Sequence, residues 1–465
     1  MIRIRVVGAG SGVTGSSYLV ETPQARVLVD FGQFQGADAR QSDNASLGPV
    51  DPARLNAVVL THAHLDHSGR LPLLIRHGYR GPMFASIATV DLTAAVLDDA
   101  AGIQEQDAAR ENRRRERAGL DPIPPLFSRA DADAFDRAAR PIPFEQWTRV
   151  ADGVEVRFFE AGHILGSASV EMRIRSAEAT RTIVFSGDVG PRGVPILRDP
   201  VLPPSCDLAF LESTYGDRDH QTGPDAAEAL VRIVRDAYFE RQRVLIPAFA
   251  IGRTQLLLYH LGEAIADGRL GQVPIYLDSP AGRRATDVYM KHQDLYDAEA
   301  KRLIAADGVR RGLSSLRIVE SPQESMALNR SWDPCVIIAG SGMCEGGRIV
   351  HHLRHNLWRR GTRVVLVGYM ARGTLGRRLA ENAKEVAIFG DPIAVRAEIH
   401  RLDGFSAHAG RSELLEWARP AAAPGARIVL THGEPEARSS LAEGLRERYG
   451  VDVVLPMNGD TIDLS

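Results

Sequence analysis

Residues 61–67 have the sequence THAHLDH and come directly after an apolar, strand-like stretch. Four potential metal ligands, His62, His64, Asp66 and His67, fall within these few positions. A single buried histidine usually pairs with one neighbour, but three histidines and an aspartate in one loop would each need a partner. A metal site explains this crowding. Alternate residues His62 and His64 can point to one centre, and Asp66 and His67 to a second.

The spacing of these ligands resembles that of the metallo-β-lactamase superfamily, which takes its other ligands from the ends of later strands. Three residues match those positions: His163 in GHILGSA, Asp188 at the end of FSGD, and His432 in LTHGE. Taken singly, Asp188 could be a turn residue and His432 a helix cap, but together they follow the superfamily order. Asp30, which closes the stretch VLV, matches the first motif, an aspartate that orients the ligands.

The resemblance implies two Zn²⁺ ions per chain. It assigns one zinc to His62, His64 and His163, and the other to Asp66, His67 and His432, with Asp188 shared.

More than two hundred residues separate Asp188 from His432, enough for a whole inserted domain. This segment resembles the β-CASP subfamily of nucleic-acid-processing enzymes. Its motif A corresponds to Glu212 in FLESTYG, its motif B to His408 in GFSAH, and its motif C to His432. A histidine at motif C is typical of members that process RNA, whereas DNA-processing relatives tend to carry valine. The resemblance therefore implies an RNA substrate.

The fold class implied is α/β: an αββα metallo-β-lactamase sandwich with an inserted β-CASP α/β domain. We predict the sandwich over residues 1–207 and 403–465 and the β-CASP domain over 208–402. The first part alternates strand-like stretches with glycine turns, whereas after residue 206 apolar stretches alternate with helical ones. The second rhythm is typical of βαβ units and a mainly parallel sheet.

The resemblance also implies a mechanism. Two metal ions would generate hydroxide at neutral pH and clamp the reacting oxygens. The catalytic residues would be Asp66, His408 and Glu212. Glu212 would keep His408 protonated, because a neighbouring anion favours imidazolium, and His408 would then serve as the general acid. The products would carry a 5′-phosphate and a 3′-hydroxyl.

Glycine-rich turns after the later apolar stretches are predicted to contact substrate phosphates. Such turns expose backbone N–H groups, and nearby Arg, Ser and Thr side chains add donors. The residues concerned are Arg253, Thr254, Ser341, Gly342, Arg372 and Thr374. Each alone could be a loop residue of the surface.

A different glycine pattern, residues 10–15, matches the dinucleotide-binding motif, with Asp30 near the position of its acidic partner. That motif requires a helix straight after the glycines. Pro23 interrupts the short stretch before Asp30, and residues 17–20 are strand-like. We therefore expect no nucleotide cofactor, and interpret these glycines as a turn near the metal site.

Composition points to a soluble, cytoplasmic protein with no membrane segment. The chain has 465 residues, 44% of them hydrophobic and 25% charged, and a formal net charge of -3. That charge argues against passive coating of nucleic acid, but allows a locally basic cleft. The N-terminus lacks the apolar core of a signal peptide. Cys206, Cys335 and Cys344 are too few for a disulfide framework and are predicted to be buried or half-buried apolar residues in a reducing compartment.

Two charged helical segments stay outside the predicted site. The run 110–117 is interpreted as a solvated helix face rather than a phosphate-tracking surface. His351, His352 and His355 are interpreted as surface histidines.

Three alternatives to a ribonuclease remain open at this point. A small-molecule zinc hydrolase would need neither the insertion nor His408. A non-catalytic RNA-processing scaffold would lose zinc ligands, and a DNA nuclease would be expected to lack His432. Endonuclease and 5′-exonuclease action are both compatible with the sequence. The chain has no recognised separate RNA-binding module, which suggests a possible homodimer.

Overall fold

The computed structural model describes residues 1–36, 41–175, 179–220, 223–305 and 313–464. Contacts between Cα atoms divide the chain into two compact units. Unit 1 comprises Met1–Arg192, Asp199–Asp219 and His408–Ser465, and unit 2 comprises Gly193–Arg198 and His220–Ala407.

The strands are, in chain order, β1 Ile2–Gly8, β2 Ser17–Glu21, β3 Arg26–Val29, β4 Ala57–Val59, β5 Met83–Ala85, β6 Ala139–Pro141, β7 Thr148–Ala151, β8 Val154–Glu160, β9 Ala168–Arg175, β10 Thr180–Phe185, β11 Leu208–Glu212, β12 Arg243–Pro247, β13 Ile275–Asp278, β14 Leu316–Ile318, β15 Val336–Ala339, β16 Thr362–Val367, β17 Glu385–Ile388, β18 Asp391–Ala394, β19 Glu398–Leu402, β20 Arg427–Thr431, β21 Asp452–Val454 and β22 Thr461–Leu464.

The α-helices are, in chain order, α1 Gln41–Ala45, α2 Leu65–Ser68, α3 Leu71–Arg76, α4 Ile87–Arg117, α5 Arg129–Ala138, α6 Gly223–Phe239, α7 Arg253–Ala266, α8 Pro280–Lys291, α9 Ala298–Ala305, α10 Pro322–Arg330, α11 Gly347–Asn356, α12 Leu375–Ala380, α13 Arg411–Ala418 and α14 Pro435–Tyr449.

Unit 1 is built on two seven-stranded sheets packed face to face. Their strand orders are β22-β1-β2-β3-β4-β5-β6 and β21-β20-β11-β10-β9-β8-β7. One apolar core fills the space between them and takes residues from both, such as Val20 and Val59 from the first and Phe158 and Phe210 from the second. Alternate residues of β1 are buried, the pattern expected of a strand with one face on a core.

Helices cover the outer faces of both sheets in unit 1. Leu97 of α4 and Phe135 of α5 pack with Leu28 and Val58 of the first sheet. On the second sheet, Trp417 of α13 and residues of α14 pack against β10, β11 and β20. Four layers result, which confirms the predicted αββα sandwich.

Unit 2 contains a six-stranded sheet of order β14-β13-β15-β12-β16-β19. Every neighbouring pair in it is parallel. Its inner strands include continuous apolar runs such as VIIA at 336–339, because both faces are covered there. Helices α6 and α7 pack on one face, and α11 and α12 on the other. The predicted α/β domain with a parallel sheet is confirmed.

The boundaries between the two units lie at different residues from the domain boundaries that the sequence suggested. The boundary expected at 207/208 assigned β11 to the inserted domain, but β11 pairs with β10 and β20 of the second sheet of unit 1. The change of unit follows Asp219, and the return comes at His408 rather than at residue 403. Apolar character alone does not reveal which sheet a strand joins.

Other predictions from the sequence concern the glycine turn, the cysteines and the charged helix α4. No helix follows the glycines at 10–15, which form a turn between the antiparallel strands β1 and β2. The three cysteines are buried, and the arginines of α4 near residues 110–117 are mostly exposed. Within the described ranges, no helix is both long and apolar enough to cross a bilayer.

One expectation about the histidines of α11 was wrong. His351 and His355 are exposed, but His352 is fully buried. Its Nε2 atom lies 2.6 Å from Oδ2 of Asp278, and its Nδ1 atom lies 2.9 Å from Oδ1 of Asn329. Buried polar groups of this kind are hydrogen-bonded within the fold.

Candidate metal centre

Parallel strands bring the predicted ligands of the second sheet to one edge. Strands β10, β11 and β20 are parallel neighbours, so their carboxyl ends coincide. Asp188 follows β10, Glu212 ends β11, and His432 follows β20. Residues far apart in the chain thus meet where open α/β sheets usually place their sites.

The first sheet supplies the remaining residues in the same way. Asp30 follows β3, and residues 61–67, called the histidine loop below, follow β4. These two strands are also parallel neighbours. The loop ends in the short helix α2, where the hydroxyl of Ser68 donates to the carbonyl oxygens of Ala63 and His64. His163 lies in the turn between β8 and β9, where its N–H donates to the hydroxyl of Ser167.

The structure brings the seven predicted ligands into two groups. In each group the potential ligand atoms lie within 4.8 Å of one another. One group is His62, His64, His163 and Asp188, and the other is Asp66, His67, Asp188 and His432.

Asp188 belongs to both groups through different oxygen atoms. Its Oδ2 atom lies 3.5 Å from Nε2 of His62 and 3.5 Å from Nε2 of His163. Its Oδ1 atom lies 3.2 Å from Nε2 of His67 and 3.7 Å from Nδ1 of His432. This carboxylate therefore stands between the two groups, the position that a shared ligand needs.

Charged and hydrogen-bonded neighbours set the protonation of the ligands. Burial, followed by the positive charge of His67, lowers the pKa of His62 well below its usual value, so its ring is neutral. Burial would raise the pKa of Asp66, but the hydrogen bond from His432 and the charge of His67 lower it to about 2. Burial likewise opposes ionisation of Asp188, yet the neighbouring histidines, His432 first, lower its pKa. Neutral imidazole and ionised carboxylate are the forms that bind metals. His67 differs, because burial would lower its pKa but Asp188 and Asp30 raise it well above the usual value, so a bound cation would have to displace a proton from this ring.

Several of these atoms lack any other partner. Nε2 of His62, Nε2 of His67 and Oδ1 of Asp188 are buried and make no hydrogen bond among the described residues. An unsatisfied polar atom in a protein interior costs about 1–3 kcal/mol. A cation at each group would satisfy these atoms, so the donor set fits a metal site.

Asp30 forms hydrogen bonds with the first residue of the histidine loop, Thr61, and contacts the last one, His67. Its Oδ1 accepts a hydrogen bond of 2.8 Å from the N–H of Thr61, and its Oδ2 one of 2.8 Å from the hydroxyl of Thr61. The same Oδ2 lies 2.7 Å from Nδ1 of His67. Because Nδ1 is used in this way, Nε2 of His67 faces Asp188. That Asp30 orients the metal ligands stays a prediction.

Glu212 and His408 form a pair beside the two groups. Nδ1 of His408 lies 3.0 Å from Oε1 of Glu212 and 3.9 Å from Oδ2 of Asp188. Glu212 is itself fixed by the N–H groups of Val189 and Thr214. Burial would lower the pKa of His408, but the charges of Glu212 and Asp188 raise it to about 9. Cations at the nearby ligands would act in the opposite direction.

Two threonines of the site were not singled out from the sequence. The hydroxyl of Thr214 lies 3.1 Å from Nδ1 of His432, and Thr61 links Asp30 to the loop as described. Both stand next to residues of a predicted motif. Threonines are so common in turns that their type alone carries no signal.

The predicted phosphate-contacting residues all belong to unit 2. Their loops follow β12, β15 and β16, which are neighbours in the parallel sheet, so the structure brings them to one edge. The hydroxyls of Thr254 and Thr374 donate within the loops, to the carbonyl oxygens of Phe249 and Ala371.

The other members of this set differ in exposure. The guanidinium of Arg253 is buried and donates to the carbonyl oxygen of Val367. Ser341 accepts from the N–H of Glu345, Gly342 is buried, and Arg372 is exposed. Phosphate contact by these six residues stays a prediction.

Comparison with known proteins identifies the family. Three family models match: the metallo-β-lactamase superfamily at residues 10–236, the β-CASP domain at 254–379, and the Zn-dependent metallo-hydrolase RNA specificity domain at 392–456. A ribonuclease from Thermus thermophilus, TTHA0252, is 38% identical over 99% of this chain and all of its own length. The chain belongs to the β-CASP family of the metallo-β-lactamase superfamily.

Two further proteins are similar to the chain over its whole length. The transcription termination factor FttA of Methanosarcina mazei is 29% identical over 100% of this chain and 72% of its own length. A solved structure of a protein of unknown function from Enterococcus faecalis V583 covers all of both chains. Its TM-score is 0.57 at 13% identity, so it shows a shared fold.

Proposed function

We propose that this β-CASP protein is a ribonuclease that hydrolyses RNA phosphodiester bonds at a centre of two zinc ions. The observation that carries the proposal is the placement of Asp188, whose two carboxylate oxygens face different groups of ligands. Two-metal sites of this kind are typical of enzymes that act on phosphate esters. The 38% identical relative is itself named a ribonuclease.

The residues of each group would hold one ion. His62, His64 and His163 offer three imidazoles, a donor set that suits zinc. Asp66, His67 and His432 offer the second set, and Asp188 completes both. Bound zinc ions would lower the pKa of water and offset negative charge on the phosphoryl group.

The leaving oxygen of the substrate needs a proton when the phosphodiester bond breaks. His408 is the candidate donor, because its Nδ1 atom lies 3.0 Å from Oε1 of Glu212 and 3.9 Å from Oδ2 of Asp188, which places the ring beside both groups of ligands. Its side chain is 17% exposed, whereas that of Glu212 is 1% exposed. Transfer of this proton to the 3′ oxygen would leave a 3′-hydroxyl on one product and a 5′-phosphate on the other. Glu212 then stabilises the positive charge on His408 before the transfer.

RNA is favoured over DNA by two observations. His432 occupies motif C, and the matching model at residues 392–456 is described as an RNA specificity domain. The names of the relatives are consistent with a role in the processing or decay of RNA or in transcription termination. The similarity covers 72% of the length of the archaeal factor. The cytoplasmic location and the homodimer stay predictions.

The test is cleavage of matched single-stranded RNA and DNA by the zinc-loaded protein, using 5′-labelled and internally labelled strands. Asp66→Ala is the control, since it removes a ligand and leaves the surface of the protein almost unchanged. RNA cleavage that disappears in Asp66→Ala supports the proposal, and the fragment ladder separates endonuclease from 5′-exonuclease action. Cleavage of DNA alone, or of neither strand with two zinc ions bound, would refute it.

A further inference from the structure

Unit 2 has a second concave site at the amino ends of its parallel strands. It is a cavity of about 310 Å³. Most of its lining comes from the turns that precede β12, β15, β16 and β19, and the rest from the first residues of β12 and β16 and the last residue of α11. Ligands of open α/β sheets usually bind at the carboxyl ends, where the glycine loops of this unit lie. The cavity is therefore a separate site within unit 2.

The lining of this cavity is strongly basic. It contains five arginines and no aspartate or glutamate: Arg241, Arg243, Arg359, Arg360 and Arg396. Arg241, Arg360 and Arg396 are exposed. In the part of the chain that the structure describes, none of these three forms an ion pair. The lining thus concentrates positive charge at one place, although the chain as a whole has a formal net charge of -3.

The carboxylates closest in sequence to these arginines are bonded to residues outside the lining. Glu240 and Glu398 both pair with Arg363, at 2.7 and 3.4 Å. The carboxylate of Asp333 accepts a hydrogen bond from the hydroxyl of Ser331. Burial and then the charge of Arg243 lower the pKa of Arg359, as expected where cations crowd together without an anion.

Two tryptophans add flat surfaces to the same cavity. Trp332 is 69% exposed and Trp358 is 45% exposed. The Cζ atom of Arg359 lies 4.0 Å from the ring centroid of Trp332 and 5.2 Å from that of Trp358. Arg359 is held there by the side-chain oxygen of Asn356, so the rings and the guanidinium form one ordered platform.

We propose that this cavity, the Arg–Trp pocket, binds a nucleotide of a single-stranded RNA segment. Exposed aromatic rings stack on bases, and arginines without partners bind phosphates; single-strand binding sites combine these two features. An acidic peptide would use the charges but not the tryptophan faces. The cavity is of the size of small-ligand pockets, enough for about one nucleotide. That the ligand is RNA rests on the proposed function.

The test measures equilibrium binding of a fluorescein-labelled oligo(A) RNA of about 12 nucleotides. The full-length chain carries Asp66→Ala throughout, so that the RNA is not cut. The pocket variant Arg241→Gln/Arg360→Gln removes two charges and keeps a polar side chain at each position. The matched control Arg235→Gln/Arg401→Gln removes two exposed charges of unit 2 that pair with Asp236 and Asp403.

The pocket variant is expected to raise the Kd about tenfold relative to the control variant. The slope of log K against log salt should fall by about 1.4, for two lost phosphate contacts. RNA should also quench tryptophan emission, and Trp332→Phe/Trp358→Phe should abolish the quenching. Equal Kd values for the pocket and control variants would refute the proposal.

Two competing ligands, AMP and a poly-glutamate peptide, distinguish a bound RNA segment from a free nucleotide and from an acidic protein. Displacement of the RNA by AMP at micromolar concentration would show a site for free nucleotide and overturn the RNA assignment. Displacement by a poly-glutamate peptide with no tryptophan quenching would show an acidic protein partner instead. A failure of the ribonuclease proposal has a different signature. The chain with Asp66 intact would then not cleave RNA, while the difference in Kd between the pocket and control variants would persist.

Discussion

The Nδ1 atom of His67 lies 2.7 Å from the Oδ2 atom of Asp30, and both residues are buried. The contact fixes which nitrogen of His67 faces Asp188. Asp30 itself has a φ of 56°, a conformation that few residues other than glycine adopt. Its hydrogen bonds to Thr61 hold it there, so the geometry of the histidine loop depends on this one carboxylate.

Asp30→Asn is expected to weaken metal binding. The substitution removes the negative charge opposite His67, and loss of such a supporting contact typically reduces metal affinity about 10- to 100-fold. Zinc affinity measured by competition with a chelator checks this. Asp463→Asn, at an exposed carboxylate paired with Arg3, is the control. Unchanged zinc affinity in Asp30→Asn would contradict the role given to Asp30.

His408→Ala is expected to lower turnover about 10²- to 10⁴-fold, the usual contribution of a general acid. Because His408 is not among the seven ligands, the variant should keep its zinc content. Rate measurement together with metal analysis checks both points. His351→Ala removes an exposed histidine of α11 and should leave turnover unchanged. A normal rate in His408→Ala would exclude it as the proton donor.

Gly32→Ala is expected to disrupt the metal centre. A Cβ atom at this position would lie 1.6 Å from the carbonyl oxygen of Asp66, so the histidine loop would have to move. The expected result is loss of zinc and destabilisation on the order of 3 kcal/mol. Thermal unfolding and metal content are the measurements. Gly12→Ala is the matched control, since a Cβ atom there meets nothing within 4 Å. Equal effects of the two substitutions would be inconsistent with this close approach.

His260 of α7 is expected to make the protein less stable in acid. Burial, followed by the charge of Arg269, lowers its pKa to about 4. The ring lies against Phe405, and the nearest carboxylate oxygen, of Glu263, is 4.0 Å away. An unfolded histidine has a pKa near 6.5, so below that pH the unfolded chain takes up the proton first. Stability is therefore full above about pH 6.5 and falls until about pH 4.

The size of this loss is on the order of 3 kcal/mol. Chemical unfolding of chelator-treated protein at several pH values measures it. In His260→Gln, which does not titrate, the free energy of unfolding should change less between pH 7 and pH 4.5 than in the parent. Parallel pH profiles for the two proteins would contradict the prediction.

The sequence was most informative where ligands follow strands. His62 was identified in its ligand-rich loop after an apolar stretch, and His163, Asp188 and His432 were identified through the resemblance to the metallo-β-lactamase superfamily, whose ligands follow strands. Neighbouring strands then bring these residues together. The sheet to which β11 belongs could not be predicted, since pairing with β10 and β20 depends on contacts remote in sequence.

Two other features also depend on contacts remote in sequence. His352 was taken for a surface residue because its burial depends on Asp278 and Asn329, distant in the chain. The Arg–Trp pocket likewise draws its arginines from turns before separate strands, none of which is unusual alone.

Stepwise addition of zinc to metal-free protein, with bound zinc and RNA cleavage recorded on the same samples, tests the central claim most directly. Because Asp188 serves both groups, cleavage should be weak with one ion per chain and rise steeply as the second binds. Full cleavage with a single zinc ion, or none with two, would contradict a two-metal ribonuclease centre.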